Sequence, residues 1–216
     1  MANISELTAY LTCGVESCSL STWGMEVETF VVTERGIPAN AQECQAVFEV
    51  LASRGWTPTY EIAGWISHVT HKDGTVIKLE QGYHCFEQVS SVRCVDSVVD
   101  VTREHQILLY AALNEVGLQP LFQPIIEYEE NLLAPEDPRS AMWLALDGVE
   151  SAQLPARTAS VQFTFAVDED EAIPIVNRLN ASSAHFLADY PQNVLWKEHM
   201  ETCLLYTSPS PRDSSK

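Results

Sequence analysis

Hydrophobic and polar positions alternate from Trp23 to Thr33, which predicts a strand. Met25, Val27, Thr29 and Val31 fall on one face, and Glu26, Glu28, Phe30 and Val32 on the other. Glu34-Arg35-Gly36 supplies a turn, after which Asn40 and Glu43 have the spacing of a capping box at a helix start. Cys44, Val47, Phe48 and Leu51 then share one helical face, and Gly55 stands where that helix should end. Ile66 to His71 and Thr75 to Glu80 flank Asp73-Gly74, the signature of a hairpin, and a further strand is expected from His84 to Val89. Val95, Val98, Thr102, Gln106, Leu109, Leu113 and Val116 mark one face of a long helix closed by Gly117.

Leu118 to Tyr128 is apolar but carries Pro120 and Pro124, so it reads as an edge strand or an irregular segment. Ala134 to Pro138 reads as a loop, with a short helix after it. The last strand runs from Thr158 to Val167, with Val161, Phe163, Phe165 and Val167 on one face and Ser160, Gln162 and Thr164 on the other. Asp168 to Asp170 cap a helix from about Glu171 to Phe186, with Pro174 tolerated in its first turns. Several strands interrupted by helices, with an Asp-Gly hairpin, give an α+β fold: a mostly antiparallel sheet with flanking helices.

Composition changes this picture in three ways. Of 216 residues, 46% are hydrophobic, enough for a sizeable core. The net charge of −18 argues against nucleic acid or an anionic membrane as partner, since both reward clustered Lys and Arg. It suits cations, or simply a solvated acidic surface. Six cysteines, at positions 13, 18, 44, 85, 94 and 203, form no CxxC pair, and no His cluster completes a zinc-type spacing. Cys13 and Cys18 are close enough to suggest a disulfide. Nothing else suggests secretion: there is no signal-peptide pattern and no apolar run near the ~20 residues of a membrane helix, so a reducing cytoplasm is the default expectation.

Residues Cys203 to Asp213 read CLLYTSPSPRD, which looks like the translation of a sequencing-library adaptor; the alternative is a Ser/Pro-rich tail. On the adaptor reading, the natural sequence ends near Thr202, so residues 1–202 are an N-terminal fragment and 203–216 are a non-native tail.

The candidate chemistry lies in the carboxylates. Glu26 and Glu28, two residues apart on a strand, stand about 6.6–7 Å apart along the backbone and can converge on a cation. A solvent-facing strand edge is the alternative, but Phe30 and Val32 continue the same face and favour burial. Glu80 and Glu87 form a second pair in LEQGYHCFE, with Gly82 allowing a bend between them. Each pair about 6 Å apart would repel by roughly 3 kcal/mol at an effective dielectric of about 20. Cations or protonation must offset this. Oxygen ligands favour Mg²⁺ or Mn²⁺ over zinc, and Mg²⁺ most often serves phosphate chemistry. There is no GxxxxGKS/T loop and no GxGxxG fingerprint, so a nucleotide would depend on metal bridges and scattered basic residues. Arg157, just before the last strand, is the best-placed side chain for a substrate carboxylate or phosphate, or else a surface ion pair. Gln162 could offer a carbonyl oxygen to a metal, or act as a hydrogen-bonding amide. His84 and His105 are expected to be structural.

Three segments in order resemble the glutamate–cysteine ligase family of the plant and bacterial type. GMEVETF is similar to its GxExE-F motif, IKLEQGYHCFEQVSS to its second acidic motif, and RTASVQFTFAVD to its R-T-x-S/T-V-Q strand; together they span roughly Ser21 to Met200. The second motif has one residue more between its glutamates than the plant-type pattern, and position 164 is Thr where many relatives have Asn. The resemblance implies a glutamine-synthetase-like catalytic fold. It also implies an ATP-dependent reaction in which the γ-carboxylate of glutamate is phosphorylated and then attacked by the amine of cysteine. Glu26, Glu28, Glu80, Glu87 and Gln162 would hold Mg²⁺, and Arg157 would help hold glutamate or phosphate. A related ligase with another amine acceptor, and a non-catalytic cation-binding domain, remain open, and oligomeric state is not legible.

Overall fold

In a computed structural model of the chain, residues 22–60, 64–80, 82–127, 145, 146, 148 and 155–189 are described. Cys13 and Cys18, whose spacing suggests a disulfide, the 134–138 loop and the 203–216 tail lie outside them; of the segment after that loop, where a short helix was expected, residues 145, 146 and 148 are described and helical. The fold is mixed α and β, with an open antiparallel sheet and three helices among the described residues. The eight strands are β1 (Thr22–Thr33), β2 (Thr57–Tyr60), β3 (Ile66–Thr70), β4 (Val76–Leu79), β5 (Cys85–Val89), β6 (Arg93–Cys94), β7 (Leu118–Leu121) and β8 (Val161–Phe165). The helices are α1 (Ala41–Ser53), α2 (Val95–Glu115) and α3 (Glu169–Asp189). The sheet with α1 and α2 belongs to the unit Cys18–Ala166. Helix α3, which carries Pro174 inside it, belongs to a second unit.

The first helix forms as its sequence dictates. Asn40 Oδ1 accepts from the backbone N–H groups of Gln42 and Glu43, while Asn40 N–H donates to Glu43 Oε2 at 2.8 Å. Cys44, Val47, Phe48 and Leu51 are all buried, and Gly55, at φ +96°, takes the left-handed conformation that closes the helix. Helix α2 buries Val98, Thr102, His105, Leu109, Ala112 and Leu113. This face is rotated from the one expected: Val95 is exposed and His105 is inside.

Strand β1 is the hub. Along one edge it pairs with β5 (Glu28 opposite Glu87, Phe30 opposite Cys85) and with β6. Along the other it pairs with β8 (Glu26 opposite Gln162) and β7 (Val31 opposite Pro120). The path continues from β5 through β4 and β3 to β2. The two faces of β1 feed two cores, as the alternation predicts. Val31 joins the main core with Phe48, Leu51, Ile77, Phe86, Leu109 and residues of α1 and α2. Phe30 and Val32 join Cys85, Ile126, Ala159 and Leu121 in a smaller cluster on the opposite face.

Differences from expectation have local causes. Strand β8 is shorter than Thr158–Val167, because Pro155–Arg157 forms a single 3₁₀ turn and Thr158 only bridges to Ile125. Strand β2 was not expected, since Pro58 lies within it; Pro58 is tolerated because, among the described residues, β2 ends the strand order and pairs with β3 alone. Pro120 sits likewise in β7, which among the described residues pairs only with β1.

Gly82 shows a close approach that only glycine permits. A Cβ there would lie 2.6 Å from His84 Cε1 and 3.1 Å from the Ala156 carbonyl oxygen. The His84 ring is fully buried and stacked on Phe30, so it has little room to yield. Gly82→Ala should therefore destabilise the fold by about 1–3 kcal/mol, as overpacking does. A denaturant-unfolding midpoint equal to wild type would show that the ring can move aside.

Candidate functional site: a carboxylate row across four strands

The sheet register places Lys78, Glu87 and Glu28 side by side on β4, β5 and β1, with Ser160 reached from the segment leading into β8. This is the face that carries Phe30 and Val32. The apolar cluster beside it removes water, and the carboxylates compensate through close partners. Glu28 Oε2 accepts from Ser160 N–H at 2.7 Å and from Ser160 Oγ at 3.1 Å, and Gln162 Nε2 donates to Glu28 Oε1 at 3.1 Å. Glu87 is only 4% exposed, and its Oε2 lies 2.7 Å from Lys78 Nζ. Glu80 lies 3.7 Å from the same ammonium and hydrogen-bonds to Glu87 through its side chain.

Electrostatics follow from this crowding. Burial, then the hydrogen bond with Glu87 and the Glu87 charge, push the Glu80 carboxyl up to about 8. Burial also raises Glu28, although the Ser160 and Gln162 donors pull the other way. Cys85, buried beside these carboxylates, has its thiol pushed well up and stays protonated. At neutral pH the row is thus neutralised in part by one ammonium and in part by one retained proton.

The structure brings Glu28, Glu80, Glu87 and Gln162 together. Glu26 occupies the same face one pair further along β1, between Val89 and Gln162. Gln162 meets Glu28 through its amide nitrogen. Arg157 ends the 3₁₀ turn, its carbonyl accepting from Ile126 N–H, and its charge bears on His84. His84 is pushed down to about 4, by burial first. It is a neutral core ring, in line with the structural role expected. Gly24, which opens the GMEVETF motif, allows the close approach of Thr164: a Cβ there would lie 2.5 Å from Thr164 Oγ1.

Sequence reasoning missed Lys78 and Ser160 as site members. Both had a readable signal: Lys78 shares a face with Glu80 in the hairpin, and Ser160 shares one with Gln162. It also missed a second cluster. His71, Asp73 and His105 each offer one ligand atom, all within 4.8 Å of one another, and could hold a metal ion. No zinc-type spacing in the sequence announces this group, because His105 comes from α2, 34 residues beyond His71. Set against models of known families and against curated proteins, the sequence matches none.

Glu80 holds its proton more tightly in the folded chain than in the unfolded one. Its contribution to stability is therefore complete below about pH 4.5 and is lost as pH rises toward about 8. His84 works the other way, contributing stability that is lost as pH falls from its ordinary 6.5 toward about 4. The range from pH 6.5 to 8 thus isolates Glu80 from His84. With chelator present, the unfolding free energy should decline across that range by about 1 kcal/mol, discounted for solvent screening of a side chain that is 32% exposed. Glu80→Gln should flatten the decline. A slope that survives the substitution would assign it to another group.

Proposed function

We propose that the chain is part of an ATP-dependent carboxylate–amine ligase, of the glutamate–cysteine ligase type and with a glutamine-synthetase-like catalytic fold. The observation that carries this reading is the row of Glu28, Glu87 and Glu80 on one face of an antiparallel sheet, next to Gln162 and Glu26. These are the residues that the family resemblance assigns to magnesium.

The donor set fits a hard dication. It is made of carboxylate oxygens with a side-chain amide, and its metal-free charge is met by a lysine and a proton. Both are partners that a dication can replace without leaving a buried charge unpaired. Glu26, Glu28, Glu80 and Glu87 would hold Mg²⁺ or Mn²⁺, which when bound would screen charge between the phosphates of ATP and an anionic substrate. Arg157, in the turn before β8, would hold the carboxylate of glutamate or a phosphate oxygen through its planar guanidinium. The reaction is activation of the glutamate γ-carboxylate by ATP and capture of the acyl phosphate by the amine of cysteine.

Manganese binding followed by electron paramagnetic resonance should be saturable for the 216-residue chain and weakened in Glu28→Gln and Glu87→Gln. In a natural form that turns over, Glu28→Gln should lower glutamate- and cysteine-dependent ADP release by on the order of 10²-fold or more. A panel of other amines then identifies the acceptor. Manganese binding with no ADP formation from any acid and amine would favour a cation-binding domain instead.

A further inference from the structure

Opposite the carboxylate row, on the side of the sheet that faces the helices, the hairpin turn and α2 build a second polar cluster. His71 follows β3, Asp73 lies in the Lys72–Gly74 turn, and His105 projects from the buried face of α2. His71 Nδ1 lies 2.9 Å from Asp73 Oδ1 and 3.0 Å from His105 Nε2, and His105 Nε2 lies 3.6 Å from Asp73 Oδ2. From these distances we infer that His71, Asp73 and His105 form a binding site for a divalent transition-metal ion such as Zn²⁺ or Co²⁺, separate from the carboxylate row.

Proton counting is the first argument. A ring nitrogen carries either one hydrogen or one lone pair. His71 Nδ1 has a carboxylate oxygen and an imidazole nitrogen at nearly equal short distance, and one hydrogen cannot lie along both contacts. A cation among the three atoms gives every lone pair a partner. Geometry is the second argument. Metal bonds of about 2.0–2.1 Å put neighbouring ligand atoms roughly 2.9–3.4 Å apart, from octahedral to tetrahedral angles. His71 Nδ1 stands within that range of both Asp73 Oδ1, at 2.9 Å, and His105 Nε2, at 3.0 Å, while His105 Nε2 lies 3.6 Å from the other carboxylate oxygen, so a modest shift of the Asp73 carboxylate completes the set.

The surroundings hold the ligands in place, as outer partners do around metal centres. Thr75 N–H donates to Asp73 Oδ1 at 3.0 Å. The Trp56 ring, buried in the main core, packs on both imidazoles at 5.0 and 5.3 Å. His105 is 5% exposed, whereas His71 and Asp73 are each 22% exposed, which leaves a path for an ion from solvent. Arg93 is the opposing feature: its guanidinium donates to Asp73 Oδ2 at 3.0 Å and competes for that carboxylate. The site therefore depends mainly on its two imidazoles, which selects ions that bind nitrogen well and rejects Mg²⁺. Bound there, the ion would tie the hairpin turn to α2.

Cobalt(II) titrated into the 216-residue chain, with magnesium in excess to fill oxygen-only sites, tests this directly. One equivalent should bind, with the visible d–d bands of a nitrogen–oxygen site and no sulfur-to-cobalt charge-transfer band. The thermal midpoint should rise with cobalt, since the ion binds the folded chain. Asp73→Asn and His71→Gln, each shown folded by circular dichroism, should weaken binding by about tenfold or more and remove the thermal shift. Glu28→Gln should change neither, which separates this site from the one proposed for magnesium. Should His71→Gln fail to fold, Asp73→Asn, which keeps an oxygen for Thr75, decides the matter. Absence of binding, a cysteine charge-transfer band, unchanged affinity in the folded variants, or loss in Glu28→Gln would each overturn the site.

Discussion

Strand β1 cannot slip. Its edges are hydrogen-bonded on both sides, to β5 and β6 along one and to β7 and β8 along the other. A shift by one residue would carry Phe30 and Val32 out of one apolar cluster and Val31 out of the other. Four neighbouring strands would lose register together. That constraint fixes Glu28 opposite Glu87 and Glu26 opposite Gln162. The proximity of the carboxylates is thus a result of apolar burial several residues away, and their mutual repulsion is overridden by it.

The repulsion is then met locally. Glu28 is stabilised as an anion by three donors from the β8 side, while Glu87 depends on Lys78 from the β4 side. Glu80 has the poorest set of partners and keeps its proton instead. Three acids in one row therefore reach three different electrostatic solutions, each dictated by which strand stands next to it. The histidine cluster obeys another logic: it is carried by a turn and a helix, and Trp56 shields it on the core side.

Local rules account for what was legible in the sequence. The capping box at Asn40, the buried face of α1, the Asp-Gly hairpin and the two faces of β1 depend on residues within a few positions of each other, and all appear as read. Strands β2 and β6 were illegible because Pro58 masks one and the other is two residues long. The rotation of α2 was hidden because Gln106 and His105 are both polar, and only tertiary packing decides which turns inward. The acids themselves were readable from alternation and motif order. Their partners shared a face with residues already singled out, Lys78 with Glu80 and Ser160 with Gln162, but that Ser160 reaches Glu28 depends on register between strands 132 residues apart, which no local pattern encodes. His71 and His105 are 34 residues apart and meet only because α2 crosses behind the hairpin.

The choice of lysine at position 78 bears on how a site of the kind proposed could exist before any metal arrived. Buried carboxylates without a countercharge would oppose folding, so a neutralising group must be built into the chain. A guanidinium would pair with Glu87 in a planar, two-bonded fork and be difficult to displace. An ammonium on a flexible stem gives a point charge with no fixed geometry, and at 35% exposure Lys78 has solvent to retreat into. Glu80, whose proton also exchanges with solvent, completes a neutral but replaceable set. A row neutralised in this way is stable enough to fold and still open to a dication, which is the property a phosphoryl-transfer site on this face would require.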